Sequence, residues 1–118
     1  MKKKVLIIDD ELDLCFLLKM HLISKQYDVE MAYNLKDGLL KLDSYEPDVL
    51  FLDNNLPDGH GWENLGRIRK EHPLVKINLI SGENAYFAKP PDNKNVCIME
   101  KPLSGKEIDK CLSLFNEN

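Results

Sequence analysis

The chain has 118 residues and a formal net charge of −4, with 43% apolar and 31% charged residues. This length fits one domain that can bury a core, and the composition is that of an ordinary globular protein. The acidic balance argues against electrostatic binding to nucleic acid or to an anionic membrane. Only four apolar residues lie between the basic residues 2–4 and the pair Asp9 and Asp10, which is too few for a signal-peptide core or a membrane span. We therefore expect a single cytoplasmic domain over residues 1–118 that binds neither nucleic acid nor membrane.

Short apolar runs alternate with helical patterns along the whole sequence. The runs predict strands at residues 5–8, 29–32, 49–52, 77–80 and 96–99. The second run alternates apolar and polar residues and suits an edge strand. Residues 5–8 form an uninterrupted apolar run, as expected for a strand covered on both faces, and residues 49–52 form a second fully apolar strand.

Helical patterns fill most of the intervals between the predicted strands. In the first helix Leu14, Leu17, Leu18 and Leu22 recur at helical spacing, and a second helix begins after the N-cap residue Asn34. A third helix is predicted over Trp62 to Glu71. The last begins at a capping box and carries an apolar stripe at helical spacing, formed by Ser104, Glu107, Ile108, Cys111, Leu112 and Phe115.

The interval between Gly82 and Asn95 differs from the other helical intervals. It holds few apolar residues, and Pro90 and Pro91 remove two backbone donors and prevent helical continuation. We predict at most a short helical turn near residues 84–88, followed by an exposed, mobile loop. The fold class is therefore α/β, a doubly wound five-stranded parallel sheet whose fourth helix is short or absent.

Acidic, hydroxyl and ammonium side chains follow four of the predicted strands. Asp9 and Asp10 follow the first strand, Asp53 the third, Ser81 the fourth and Lys101 the fifth. Because parallel strands place their carboxyl ends at one edge, these groups should converge in the crevice where such sheets bind ligands. Clustered carboxylates repel one another unless a cation compensates, and Mg²⁺ accepts such ligands together with phosphate oxygens. The combination suits phosphoryl transfer.

Each of these residues alone has an ordinary structural explanation. An Asp pair often stabilises a helix N-terminus, an Asp before a Pro/Gly loop is commonly a turn residue, and most lysines are simply solvated. The site prediction depends on finding the whole set, with each residue at its own strand end.

The set resembles the receiver domain of two-component response regulators. Its pattern consists of Asp9-Asp10-Glu11, Asp53-x-x-Leu56-Pro57-x-x-x-Gly61, Ser81-Gly82 and Lys101-Pro102. The resemblance covers essentially the whole chain and implies a flavodoxin-like strand order of 2-1-3-4-5. It also implies a cis Lys101-Pro102 bond that aims the lysine at the acceptor.

The resemblance further implies a role for each residue of the set. Asp53 would accept a phosphoryl group from a sensor histidine kinase or a histidine phosphotransfer protein, Lys101 would contact the phosphoryl oxygens, and Ser81 would move toward them. The Mg²⁺ ligands would be the side chains of Asp10 and Asp53, the backbone carbonyl of Asn55 and, largely through water, Asp9. Such a chain is not an enzyme on a separate substrate, since it catalyses only its own phosphorylation and dephosphorylation, and it would be a monomer or weak dimer.

Two features depart from the family pattern besides the unusual fourth-helix interval. The family usually carries an acidic or amide residue two positions before Gly61, where this chain has Gly59 followed by His60, and Ile98 stands in place of the aromatic partner of the switch serine. The acceptor chemistry is unaffected by these departures, whereas the usual output mechanism does not carry over.

Three other functions compete with the phosphoacceptor interpretation. A receiver fold can act as a protein-interaction module without phosphorylation, but the complete residue set argues against this alternative. A flavin carrier would need a hydroxyl- and glycine-rich phosphate loop where Asp9 and Asp10 stand. An aspartate-nucleophile phosphatase usually needs a second Asp at the position of Asn55.

The cysteines bear on the redox environment. Cys15, Cys97 and Cys111 are odd in number and show neither a C-x-x-C motif nor a Cys/His metal spacing. We predict three reduced thiols rather than a disulfide framework or a zinc site.

Overall fold

The structure, a computed structural model, describes residues 2–82 and 95–116, with side chains as far as residue 113. Its strands are β1 (Lys4–Ile8), β2 (Asp28–Ala32), β3 (Val49–Asp53), β4 (Asn55–Leu56), β5 (Gly59–His60), β6 (Lys76–Ser81) and β7 (Val96–Glu100). Its helices are α1 (Leu12–Ser24), α2 (Leu35–Tyr45), α3 (Leu65–Glu71) and α4 (Gly105–Asn116), with a 3₁₀ turn at Gly61–Asn64.

Five strands form one parallel sheet in the order β2-β1-β3-β6-β7. Because β4 and β5 form a separate small hairpin, this is the order 2-1-3-4-5 of the five predicted strands. The flavodoxin-like fold is confirmed, as is the edge position of the strand that contains Val29. The sheet places the carboxyl ends of β1, β3, β6 and β7 at one edge.

Each face of the sheet carries its own apolar cluster. Alternate residues of β1 divide between them, with Val5 and Ile7 packing beneath α1 and α4, and Leu6 and Ile8 packing beneath α2 and α3. This division follows from the two-residue side-chain period of a strand. A sheet covered on both faces explains why β1 and β3 are apolar without alternation.

The predicted helix caps are present. The side chain of Asn34 accepts a hydrogen bond from the amide of Asp37 at 2.8 Å, and Ser104 accepts one from the amide of Glu107 at 3.2 Å. The predicted third helix is correct only in part, because Gly61–Asn64 forms a 3₁₀ turn before α3.

The prediction of three reduced thiols is wrong for two of them. Cys97 in β7 and Cys111 in α4 form a disulfide, with their Cα atoms 6.3 Å apart. Strand β7 and helix α4 are brought together by the fold, which the spacing of cysteines along the chain could not reveal. Cys15 is a free, buried thiol.

The predicted helical turn and loop between Gly82 and Asn95 fall on residues 83–94, which lie outside the described part of the chain. Among the helices that the structure does describe, none has the length and apolar character needed to span a bilayer.

Candidate functional site

Two of the candidate carboxylates are held in place by the main sheet itself. Asp9 directly follows β1, and its amide donates to the carbonyl of Ala32 in β2 at 3.1 Å. Asp53 is the last residue of β3 and pairs in register with Ile80 of β6. Both side chains are buried, with exposures of 0% for Asp9 and 2% for Asp53.

The three aspartates predicted at this edge lie together. Asp9, Asp10 and Asp53 each offer a carboxylate oxygen, and these oxygens lie within 4.8 Å of one another. Burial and, next, the charge of Asp9 together raise the pKa of Asp53 to about 6, against the smaller effects of Lys101 and two backbone amides. Burial likewise raises the pKa of Asp9. The arrangement therefore crowds negative charge in a place where water solvates it poorly.

Lys101 is the cation that faces this cluster. Its ammonium nitrogen lies 3.2 Å from Oδ2 of Asp9, 3.6 Å from Oδ2 of Asp53 and 2.9 Å from Oε1 of Glu11. Burial lowers the pKa of Lys101, but the hydrogen bond that it donates to Glu11 and the charges of the two aspartates outweigh this effect, so the pKa is raised. The lysine therefore stays charged beside the carboxylates.

The backbone around Lys101 is also as expected. The Lys101-Pro102 peptide bond is cis, as the resemblance implies. The amide of Lys101 donates to the carbonyl of Ser81 at 2.8 Å, which connects the ends of β7 and β6.

Oδ2 of Asp9, a buried oxygen in the cluster, can still accept a ligand. Oδ1 of Asp9 accepts from the amide of Glu11 at 2.9 Å, whereas Oδ2 is buried and makes no hydrogen bond of good geometry, although Lys101 lies near it. A buried carboxylate oxygen without a hydrogen-bond partner is costly. A hard cation with oxygen ligands would satisfy it, so the donor set fits Mg²⁺.

The loop after β3 is held by its own polar contacts. The side chain of Asn54 accepts from the amide of Trp62 at 3.1 Å, and its backbone carbonyl accepts from the amide of Gly61 at 3.0 Å. The carboxylate of Asp58 accepts from the amides of Leu35 and Lys36 at 2.6 and 2.9 Å. These contacts join the loop that contains Asn55 to the N-terminus of α2.

The structure brings most of the predicted set to one edge. The carboxylates of Asp9, Asp10 and Asp53 lie together, and the ammonium of Lys101 lies near those of Asp9 and Asp53. Ser81 ends β6 one residue beyond the partner of Asp53, and Asn55 lies two residues after Asp53 in β4.

Sequence reasoning gave no role to two further residues. Glu11 shares Lys101 with the aspartates, and Asp58 caps α2. The only sequence signal for Glu11 was its place directly after the Asp pair. Asp58 had no signal, since its partners lie 22 and 23 residues earlier in the chain.

The raised pKa of Asp53 predicts a pH effect in the metal-free protein. Asp53 releases its proton near pH 3.8 when unfolded and near pH 6 when folded, so stability falls as pH rises between these values. We expect a loss of about 2–3 kcal/mol from this carboxyl across the interval. Urea unfolding in EDTA from pH 4 to 7 would measure it, and Asp53→Asn should remove that part of the fall. Parallel stability curves for the two chains would contradict the assignment.

The fold and the site together define a class of protein. It is a flavodoxin-like α/β domain that carries an acidic cluster and a lysine, rather than a phosphate-binding glycine loop, at the carboxyl edge of its sheet.

Comparison with known proteins identifies the family. Residues 5–112 match the response regulator receiver domain, and the chain belongs to this family of two-component signalling proteins. It is 45% identical over 101 residues to the transcriptional regulatory protein TrcR of Mycobacterium tuberculosis, covering 74% of this chain and 39% of that protein. It is 30% identical over 111 residues to the alkaline phosphatase synthesis transcriptional regulatory protein PhoP of Bacillus subtilis, covering 92% of this chain and 46% of that protein. The chain thus spans less than half the length of these two relatives.

Solved structures agree on the fold. A response regulator receiver protein from Sinorhizobium medicae superimposes with a TM-score of 0.83 at 24% identity, covering 98% of this chain and 96% of that one.

Proposed function

We propose that the chain accepts a phosphoryl group on Asp53 from a phosphohistidine of a sensor kinase or phosphotransfer protein in the cytoplasm. The observation that carries the proposal is the environment of Asp53. Its buried carboxylate lies with those of Asp9 and Asp10 and 3.6 Å from the ammonium of Lys101. A nucleophilic carboxylate between a cation and a cluster of metal-ligand oxygens is what phosphoryl transfer requires, because its catalysis is mainly positioning and charge neutralisation.

The acidic cluster is the proposed Mg²⁺ site. Asp10 and Asp53 would hold the ion through their side chains, Asn55 through its backbone carbonyl, and Asp9 largely through water. When bound, the ion would neutralise charge on the carboxylates and on the phosphoryl oxygens. Two observations support this assignment: Oδ2 of Asp9 has the ion pair with Lys101 but no hydrogen bond, and Asp10 is exposed.

The other steps of the proposed phosphoryl transfer are carried out by side chains of this chain. A carboxylate oxygen of Asp53 attacks phosphorus as the bond from phosphorus to the donor nitrogen breaks. Lys101 is held near the acceptor by Asp9 and Glu11, and it would contact the phosphoryl oxygens once they arrive. Ser81 would donate its hydroxyl to one of those oxygens from the end of β6. Glu11 would have to yield Lys101 in part, since it makes the shortest of the lysine's three ion pairs.

Helix α1 provides the surface proposed for the phosphodonor. Leu12, Phe16, Met20 and Ile23 lie on one side of it, and each is between 43% and 64% exposed. A large apolar surface of this kind usually marks an interaction site. Leu17 and Leu103 line a groove of about 190 Å³ between α1 and the start of α4. Leu103 is two residues beyond Lys101, so this groove lies close to the site along the chain. A helical partner seated there would bring its phosphohistidine to the site edge.

Two predictions about partners remain open to test. The two curated relatives are named transcriptional regulators, and this chain covers less than half of each. The absence of nucleic-acid binding therefore stays a prediction about this chain alone, as does its state as a monomer or weak dimer.

Labelling with a small phosphodonor tests the proposed function. Incubation with acetyl phosphate and Mg²⁺ should add one phosphoryl group to the intact mass, and peptide mapping should place it on Asp53. Labelling should be lost when EDTA replaces Mg²⁺. An unmodified mass under all conditions would favour the non-phosphorylated interaction module instead, and a label on another residue would contradict the site assignment.

The metal proposal predicts different effects for the two neighbouring aspartates. Mg²⁺ should raise the melting temperature of the parent by mass action, because only the folded chain holds the ligands together. Asp10→Ala should weaken this rise more than Asp9→Ala, since Asp10 is the proposed direct ligand and Asp9 acts through water. Thermal unfolding across a Mg²⁺ titration measures both effects. Identical titrations of the parent and both variants would show that the ion binds elsewhere or not at all.

A further inference from the structure

The disulfide joins the last strand of the sheet to the last helix of the described chain. Cys97 is the second residue of β7, which pairs only with β6 among the described strands, and Cys111 lies on the buried side of α4. Helix α4 has other attachments as well. Ile108 and Leu112 are buried, and Nε2 of His21 in α1 lies 2.8 Å from Oδ1 of Asp109. The helix is therefore held against the sheet without the disulfide.

A buried oxygen next to Cys97 lacks a hydrogen-bond partner. Asn78 of β6 is fully buried, and its Nδ2 donates to the carbonyl of Leu50 at 3.5 Å, whereas its Oδ1 has no partner. Asn78 pairs in register with Cys97. The neighbouring register pairs, Ile77 with Val96 and Leu79 with Ile98, have their side chains on the other face of the sheet, in the cluster beneath α2 and α3. The Asn78 and Cys97 side chains therefore neighbour each other on the α4 face.

The reduced form of the cysteine pair offers a hydrogen-bond donor for Oδ1 of Asn78. A thiol at Cys97 carries a hydrogen that it can donate to a neighbouring oxygen, whereas a disulfide sulfur carries none. While the two cysteines are joined, neither sulfur can donate to Oδ1 of Asn78, and a buried acceptor without a partner is costly.

We propose that Cys97 and Cys111 form a reversible thiol–disulfide pair, in which the reduced Cys97 thiol donates to Asn78 and oxidation joins α4 to β7. This modification site goes beyond the proposed phosphoacceptor role. In a cytoplasm kept reducing by glutathione and thioredoxin the dithiol would prevail, and the disulfide would form on oxidation. The Cα separation of 6.3 Å in the joined pair lies within the usual range for a disulfide.

The exchange requires a disulfide oxidant of low molecular weight, such as oxidised glutathione. The Cys97 thiolate attacks one sulfur of the oxidant, forming a mixed disulfide and releasing one thiol. The Cys111 thiolate then attacks the Cys97 sulfur, forming the protein disulfide and releasing the second thiol. The two protons lost by the cysteines are carried by the two released thiols, and the oxidant gains the two electrons. Partial exposure of Cys97 at the sheet edge provides access.

The consequence would be mechanical and local to α4. Oxidation closes a loop with a sequence separation of 14 between the two cysteines. Reduction should therefore speed amide hydrogen exchange in peptides from Gly105–Asn116, while exchange in β1 and β3 stays unchanged. Equal exchange of α4 amides in both states would contradict this consequence.

Thiol counting in glutathione buffers tests the pair directly. The full chain is equilibrated at graded ratios of oxidised to reduced glutathione, quenched in acid, unfolded and alkylated with N-ethylmaleimide. Intact mass should change from three labels in reducing buffer to one in oxidising buffer, and Cys111→Ser should abolish formation of the protein disulfide. Three labels at every ratio would overturn the proposal, and so would a single label that persists in excess reduced glutathione.

The role of Asn78 has its own test. Asn78→Ala removes the unsatisfied oxygen, so the disulfide should form at a glutathione ratio about three- to tenfold less oxidising than in the parent. Ile80→Val, a change on the same strand and the same face, is the matched control and should not shift the midpoint. An unshifted midpoint for Asn78→Ala would overturn the assignment. Acetyl phosphate labelling of Asp53 is a separate readout, so failure of the redox pair and failure of the phosphoacceptor role can be told apart.

Discussion

The Asp53→Asn chain should fold and should take up no phosphoryl group from acetyl phosphate in the presence of Mg²⁺. An amide nitrogen replaces one carboxylate oxygen, so the side chain keeps its shape but loses the nucleophile. It also loses a negative charge that is buried beside that of Asp9. At neutral pH without metal the variant should therefore be the more stable of the two chains by about 2–3 kcal/mol.

The matched control for this substitution lies five residues later, in the turn between β4 and β5. Asp58→Asn also removes one carboxylate, but Asp58 is exposed and contacts α2 rather than the acidic cluster. It should lose some stability at the α2 N-terminus, since its carboxylate accepts two amide hydrogen bonds there, and it should still be labelled fully. Intact mass and thermal unfolding of the three chains provide both readouts. Full labelling of Asp53→Asn would show that another group is the acceptor.

The convergence at the sheet edge could be predicted because it depends on the backbone alone. Parallel strands end at the same edge, so residues that directly follow β1 and end β3 must be neighbours once the strand order is known. Asp9 and Asp53 therefore needed only the apolar runs before them. Predicting the place of Lys101 also required the position of β7, which the apolar run at residues 96–99 indicated.

Contacts that depend on side-chain packing between elements were beyond sequence reasoning. Glu11 reaches Lys101 across 90 residues of sequence, and nothing in either residue's neighbours signals the pair. The β4–β5 hairpin was missed because strands of two residues have no periodicity to detect. The disulfide could have been considered from the pattern, since Cys97 was placed in a strand and Cys111 on the inner stripe of a helix. Which face of the sheet each side chain occupies was the missing fact.

Gly61→Ala is expected to have the largest effect on stability among single-methyl additions near the site. A Cβ atom at Gly61 would clash with the backbone carbonyl oxygen of Asp53 and would lie 2.9 Å from Cδ1 of Leu52. Neither neighbour can give way easily, because both residues belong to β3, a central strand whose side chains are fully packed. Such overpacking against backbone should cost about 3 kcal/mol or more.

Gly61→Ala should also lower phosphoryl labelling, because the carbonyl oxygen that the new Cβ displaces belongs to Asp53, the proposed acceptor. Any shift of the Asp53 carbonyl displaces the residue whose carboxylate must meet Lys101 and the metal ligands. Gly66→Ala is the matched control, since a Cβ there meets no atom within 4 Å and Gly66 lies inside α3. Because alanine favours helix over glycine, that variant should gain about 0.5–1 kcal/mol and keep full labelling. Urea unfolding and acetyl phosphate labelling of both variants measure the contrast. Equal stability of the two variants would mean that the loop after β3 can move away from the strand, and that Gly61 is not required for its close approach.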